Sequence, residues 1–156
     1  MSVINLSTEV TTYLGKNIKD ICPNSFINNG DNHCAHFVSH VMGYSFGFRC
    51  KGMTGKGTGV GASIRVNEVF AQCPRVGLWA DKPAGDCLIF ITSTDNVNVD
   101  SKVMGTRPKK HIGIFCNNNV YHYSNSKDKV ITQTAEEFAL HYIGSSFQLY
   151  YGTFPL

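Results

Sequence analysis

A chain of 156 residues, 42% hydrophobic and 16% charged, is long enough to bury a core and too apolar to be disordered. Its formal charge of +3, with no dense basic run beyond residues 107–110, argues against nucleic acid as a partner. No stretch reaches the length of a membrane-spanning helix, and residues 1–13 lack the basic-then-apolar pattern of a signal peptide.

In chain order, the first expected element is a helix over residues 7–19, capped by Ser7, with Val10, Leu14 and Ile18 as its buried stripe. Cys22-Pro23-Asn24 ends it, and the turn-forming run 28–32 delivers the chain to Cys34. There an apolar pattern begins: Ala35, Val38, Val41 and Met42 recur at three- and four-residue spacings and predict a helix starting at Cys34. Residues 52–61 hold five glycines and no core-like pattern, so a mobile flap bordering a cleft is expected. The segment is no phosphate loop, because no apolar strand introduces it and the G-K-[ST] ending is missing.

A second helix is expected over residues 64–73, with Ser63 as cap and Val66, Val69 and Phe70 facing inward. A turn at 83–86 leads to a strand at 87–91, and a polar connection over 92–110 to a strand at 111–116. A hairpin turn at 117–119 returns the chain as a strand over 120–124. Thr134 and Glu137 form a capping box for a helix reaching residue 142, and an aromatic strand closes the chain at 147–154. The layout predicts an α+β fold with N-terminal helices packed on a small antiparallel sheet. A monomer of one domain, 1–156, is expected.

Six cysteines are present, at 22, 34, 50, 73, 87 and 116, without any C-x-x-C pair. Free thiols are therefore expected, with Cys22–Cys50 and Cys73–Cys87 the candidate pairs if the chain is oxidised. His33, His36 and His40 cluster around the Cys34 helix start. They lack a second ligand pair at metal-site spacing, so structural or pocket roles are expected for them and neither metal nor cofactor.

Cys34 is the candidate nucleophile. A thiol at a helix start sits near the positive end of the helix dipole and beside amides with no intrahelical partner, which favours the thiolate. Its own amide would be one donor to an oxyanion. A nucleophilic cysteine needs a base, and the base an orienting partner. His111 opens a strand on which Ile112 and Ile114 face one way and His111, Gly113 and Phe115 the other. Gly113 leaves room for close approach. Across the hairpin, alternation groups Val120, His122 and Ser124 against Tyr121, Tyr123 and Asn125. If the tyrosines are core, His122 falls beside His111, with Asn125 the rival third residue.

The runs N-H-C-A-H-F-V, P-A-G-D-C-L-I-F and H-I-G-I-F-C-N-N-N-V-Y-H resemble, in order, the NlpC-type cysteine peptidases. Those belong to the papain-like superfamily that also holds the CHAP amidases. The resemblance spans roughly residues 28–125. It implies Cys34 as nucleophile, His111 as base and His122 as orienting residue, in a hydrolase that cuts amide bonds in the peptide stems of bacterial peptidoglycan. It also implies a secreted antibacterial effector or lysin that acts in the periplasm or cell wall after delivery by a secretion system or lysis, with a cognate immunity protein as partner. The chain departs from the family pattern in three ways. H-C-A-H-F stands for D-C-S-G-F, the glycine-rich segment lengthens the spacing to His111, and the turn after that strand is one residue short. C-A-H-F-V is also similar to the N-C-E-H-F-V run of lecithin retinol acyltransferase-like proteins, whose histidine precedes the cysteine; a thiol acyltransferase is the alternative, and a non-catalytic module keeping the fold a second.

Overall fold

The computed structural model describes residues 6–155. Five short α-helices and eight strands follow in chain order: α1 (Leu6–Thr11), α2 (Cys34–Met42), α3 (Cys50–Thr54), α4 (Val66–Gln72), β1 (Val76–Leu78), β2 (Cys87–Ser93), β3 (Val97–Asn98), β4 (Val103–Met104), β5 (Lys110–Cys116), β6 (Asn119–Ser124), β7 (Lys129–Gln133), α5 (Ala135–Phe138) and β8 (Phe147–Gly152). Six strands form one sheet in the order β1-β8-β2-β5-β6-β7, and β3 pairs with β4 apart from it. Every pairing is antiparallel. The class is α+β with an antiparallel sheet, as the layout predicted. No described helix is long and apolar enough to cross a membrane.

The sheet separates two cores. Leu88, Phe90, Ile112, Ile114, Tyr121 and Tyr123 face α2 and the larger core. Cys87, Ile89, Ile91, Phe115 and Val120 face the smaller one, closed by Phe138. Alternation along each strand produces this division. It also explains why β2 is buried on both sides at six of its seven residues. α2 is buried nearly all round, with Cys34, Ala35, His36, Phe37, Val38, Ser39 and Val41 all inaccessible. It is a central helix rather than an amphipathic surface one. Gly43 ends it in the left-handed conformation, φ 77°, returning its N–H to Ser39.

Several expected boundaries shift for local reasons. The first helix stops at Thr11. The amides of Thr12, Tyr13 and Leu14 bond carbonyls three residues back, and the Asn17 side chain caps a separate turn, Ile18–Asp20. Leu14 is consequently exposed, while Val10 and Ile18 stay buried. Ser63 does not cap α4, because its hydroxyl binds the Phe46 amide and carbonyl instead. The capping box of Thr134 and Glu137 is present, but the helix it opens ends at Phe138. The hairpin turn is Asn117-Asn118, both at positive φ, the geometry that a two-residue connection between twisted strands requires.

The glycine-rich segment is no flap over the cleft. Its first residues form α3, the Thr54 hydroxyl donates to the Asn24 carbonyl, and the Lys51 ammonium donates to the Gly59 carbonyl. Gly57 packs so closely on Pro23 and Asn24 that a Cβ there would stand 2.6 Å from the Asn24 Cα. Gly57 thus serves a close wrapping against the Cys22–Asn24 corner.

Candidate functional site

Cys34 begins α2, which lies across β5 and β6. β5 pairs with β6 only through Ile114–Tyr121, Phe115–Val120 and Cys116–Asn119. The Ile112 and Ala35 amides and the Lys110 charge favour the Cys34 thiolate. Burial outweighs these favourable contacts, and the thiol is pushed up to about 11. Desolvation thus opposes the helix-start dipole that was expected to favour the thiolate. The Cys34 amide is also not free for an oxyanion, since it donates to Asn32 Oδ1 at 3.0 Å.

His111 and His122 stand together on the sheet face opposite the tyrosines. His111 Nε2 and His122 Nδ1 are 2.9 Å apart, and His122 Nε2 lies 2.6 Å from Gln133 Oε1. The amide oxygen only accepts, so His122 carries its proton on Nε2. His122 Nδ1 therefore accepts from His111 Nε2–H, and His111 Nδ1 is left as a lone pair. That nitrogen is buried with no hydrogen-bond partner. Cys34 Sγ thus bonds neither ring nitrogen. Gly113 makes the pairing of the two imidazoles sterically feasible. A Cβ there would meet Val120 Cγ1 at 2.8 Å and His122 Cβ at 3.2 Å.

Asn125 does not reach the imidazoles. Its Oδ1 accepts from the His33 amide at 3.0 Å and its Nδ2 donates to Asn32 Oδ1 at 3.0 Å. It braces the loop that presents Cys34. Burial, first, and the neighbouring imidazoles, second, hold His111 well below its ordinary value. His122 is lowered to about 4, again chiefly by burial.

Three residues near the site were not anticipated from sequence. Gln133 lies at the end of β7, a strand the sequence reading did not foresee. His141 stacks on His111 with ring centroids 4.1 Å apart and planes within 5°. The Tyr142 hydroxyl donates to the Lys110 carbonyl at 3.3 Å; burial and the nearby Cys34 sulfur push it up to about 12. A cavity of about 380 Å³ opens on Cys34, with Asn32, Arg65, Asn67, Thr106 and Lys110 among its walls.

All six cysteines are buried and free, so neither candidate disulfide pair is bonded. His33, His36 and His40 form a chain of ring contacts along α2, 3.1 Å between His33 Nδ1 and His36 Nδ1 and 3.1 Å between His36 Nε2 and His40 Nε2. They point away from the cavity at Cys34, none of whose walls they supply. Set against protein-family models, curated proteins and solved structures, the chain matches none of them.

Proposed function

We propose that the protein is a cysteine hydrolase of papain-like architecture, with Cys34 as nucleophile, His111 as base and His122 as orienting residue. The observation that carries this reading is the fixed run of ring nitrogens from Gln133 through His122 to His111. It leaves one buried lone pair, on His111 Nδ1, without a hydrogen-bond partner. In this reading the free enzyme holds a neutral thiol and a neutral imidazole. As substrate enters, Cys34 Sγ and His111 Nδ1, which share no hydrogen bond in the free chain, must come together; the Cys34 proton then passes to the ring and the sulfur attacks the amide carbonyl. The imidazolium returns that proton to the leaving amine, and water then cleaves the thioester with His111 again as base. His122 holds the reactive tautomer and stabilises the charged ring.

Asn32 is the donor best placed to meet the oxyanion. Its Oδ1 already accepts from Cys34 and Asn125, and the residue lines the cavity beside Cys34. Arg65 and Lys110 give that cavity cationic walls, suited to a peptide rich in carboxylates. Peptidoglycan stems are such a substrate, and an effector or lysin acting on the wall, countered by an immunity protein, is the setting we propose. An acyltransferase would need an apolar tunnel, and the Asn, Arg, Thr and Lys side chains around Cys34 disfavour one. The test is release of stem fragments from isolated sacculi. Wild type should release them and Cys34→Ala should not; equal release, or none from either, would sink the reading.

A further inference from the structure

Cys22, His36, His40 and Cys50 supply no wall of the cavity at Cys34, and their four ligand atoms all fall within 4.8 Å of one another. We propose that they form a structural zinc site that clamps the helix carrying Cys34. This inference is independent of the hydrolase reading. Tetrahedral zinc at its usual bond lengths to nitrogen and sulfur places neighbouring ligand atoms about 3.3–3.8 Å apart. His36 Nε2 and His40 Nε2 are 3.1 Å apart, and Cys50 Sγ lies 3.7 Å from His40 Nε2. Closure of the remaining edges, each within 4.8 Å, by up to about 1.3 Å completes the tetrahedron.

The surroundings prepare these atoms as ligands. His33 Nε2 lies 2.7 Å from the Asn28 carbonyl, so that nitrogen carries the proton and His33 Nδ1 accepts. His36 must then donate from Nδ1 across the 3.1 Å contact. Its Nε2 is therefore a lone pair, aimed at the cluster, which is how an outer partner fixes the tautomer of a metal-binding histidine. Amide donors surround the sulfurs: Asn24 N–H on Cys22 Sγ at 3.4 Å, and Asn24 Nδ2 and Ala62 N–H on Cys50 Sγ, both at 3.2 Å. Such donors stabilise thiolate charge. Binding would displace two thiol protons to solvent, and Zn²⁺ with two thiolates and two neutral imidazoles is uncharged overall, a form that tolerates burial.

Four protein ligands fill the coordination sphere, which makes the site structural rather than catalytic. The metal would tie three segments together: the turn after α1 through Cys22, one turn of α2 through His36 and His40, and the start of α3 through Cys50. A cavity of about 280 Å³, walled in part by Asn24, Ser39 and His40, gives an ion a way in.

The test uses the full chain purified without chelator. We expect about one zinc per chain by mass spectrometry of the metal. Chelator-stripped protein given cobalt(II) should show the intense visible bands of a tetrahedral site, with thiolate-to-cobalt charge transfer in the near ultraviolet. Cys50→Ser and His40→Gln should weaken binding on the order of a hundredfold or more. The single variants Cys34→Ser, Cys73→Ser, Cys87→Ser and Cys116→Ser should leave the spectrum unchanged, and this identifies Cys22 and Cys50 even if their own variants fail to fold. The proposal is overturned by an octahedral cobalt spectrum, by a Cys22–Cys50 disulfide in the protein as purified, or by loss of charge transfer in one of those four variants.

Discussion

Gln133 Oε1 lies 2.6 Å from His122 Nε2, and this contact from the edge of the sheet sets the protonation of every ring nitrogen inward of it. Reversed, the chain would put the proton of His111 on Nδ1, where it could donate but not accept. The amide does not ionise, so it fixes the tautomer without adding charge. That distinguishes it from a carboxylate, which would raise the basicity of both imidazoles. Lacking such a carboxylate, both rings stay neutral in their buried setting.

The balance at Cys34 leads to the first prediction. Burial pushes this thiol up to about 11, so alkylation should track hydroxide rather than saturate. Iodoacetamide labelling, mapped by mass spectrometry, should be slower at pH 7.5 than for a free thiol by on the order of a hundredfold. Its rate should rise about tenfold per pH unit with no plateau below pH 10. A plateau below pH 7 would instead show a preformed thiolate.

What the sequence disclosed and what it concealed have physical causes. α2, β5 and β6 were legible because each carries one periodicity over six or more residues, and because glycine and asparagine punctuate them. The faces of His111 and His122 followed from the period of two alone. β7 was hidden: of Lys129–Gln133 only Val130 is buried, as expected of an outermost strand whose pairing with β6 defines it. β1 is three residues long and exists through its register with β8. The burial of Cys34 was not legible, because a helix dipole can be read from sequence and desolvation cannot. The Cys22, His36, His40 and Cys50 cluster was hidden for a similar reason. Its cysteines are brought to α2 by turns that carry no periodic signal, and only the spacing of the two histidines marks one helical turn.

The close approach at Gly113 can be tested by adding one methyl group. A Cβ would stand 2.8 Å from Val120 Cγ1 and 3.2 Å from both His122 Cβ and the Tyr121 carbonyl oxygen. β6 would have to move outward, taking His122 from His111. We expect Gly113→Ala to cost about 1–3 kcal/mol of stability and to lower turnover at temperatures where the variant is fully folded. Unchanged turnover in a folded variant would mean that the spacing of the two imidazoles is not critical.

Stability should fall in acid, with a sign set by the histidines. His111 and His122 take up protons in the folded chain only well below the ordinary histidine value, His122 near 4. The unfolded chain takes them up at about 6.5. Below that value the unfolded state binds more protons, so stability present at neutral pH is lost as pH falls from about 6.5 toward 4. Urea midpoints across this range should show the decline, and His122→Gln should flatten it. A pH-independent midpoint between 4 and 6.5 would contradict the neutral, buried pair.

The third residue of the site can be identified by ranking three variants. His122 is bonded to His111 directly, Gln133 acts on His111 only through His122, and Asn125 holds the loop before Cys34. Loss of the orienting residue removes both the tautomer and the partner of the charged ring, so His122→Ala should lose on the order of a hundredfold or more in turnover. Gln133→Ala leaves His122 in place but free to exchange tautomers, and a loss of about tenfold is expected. Gln133→Glu adds a carboxylate in the same position and should raise the apparent pKa of the base, moving the acid limb of the pH–rate profile upward. Asn125→Ala should lose less turnover than His122→Ala, because its bonds hold the His33 amide and the Asn32 side chain and neither imidazole. All four are to be measured at matched folded fraction on the same wall fragments. If Asn125→Ala lost the most turnover and His122→Ala the least, the imidazole pair would be a packing feature of the smaller core, and the base at Cys34 would have to be sought elsewhere.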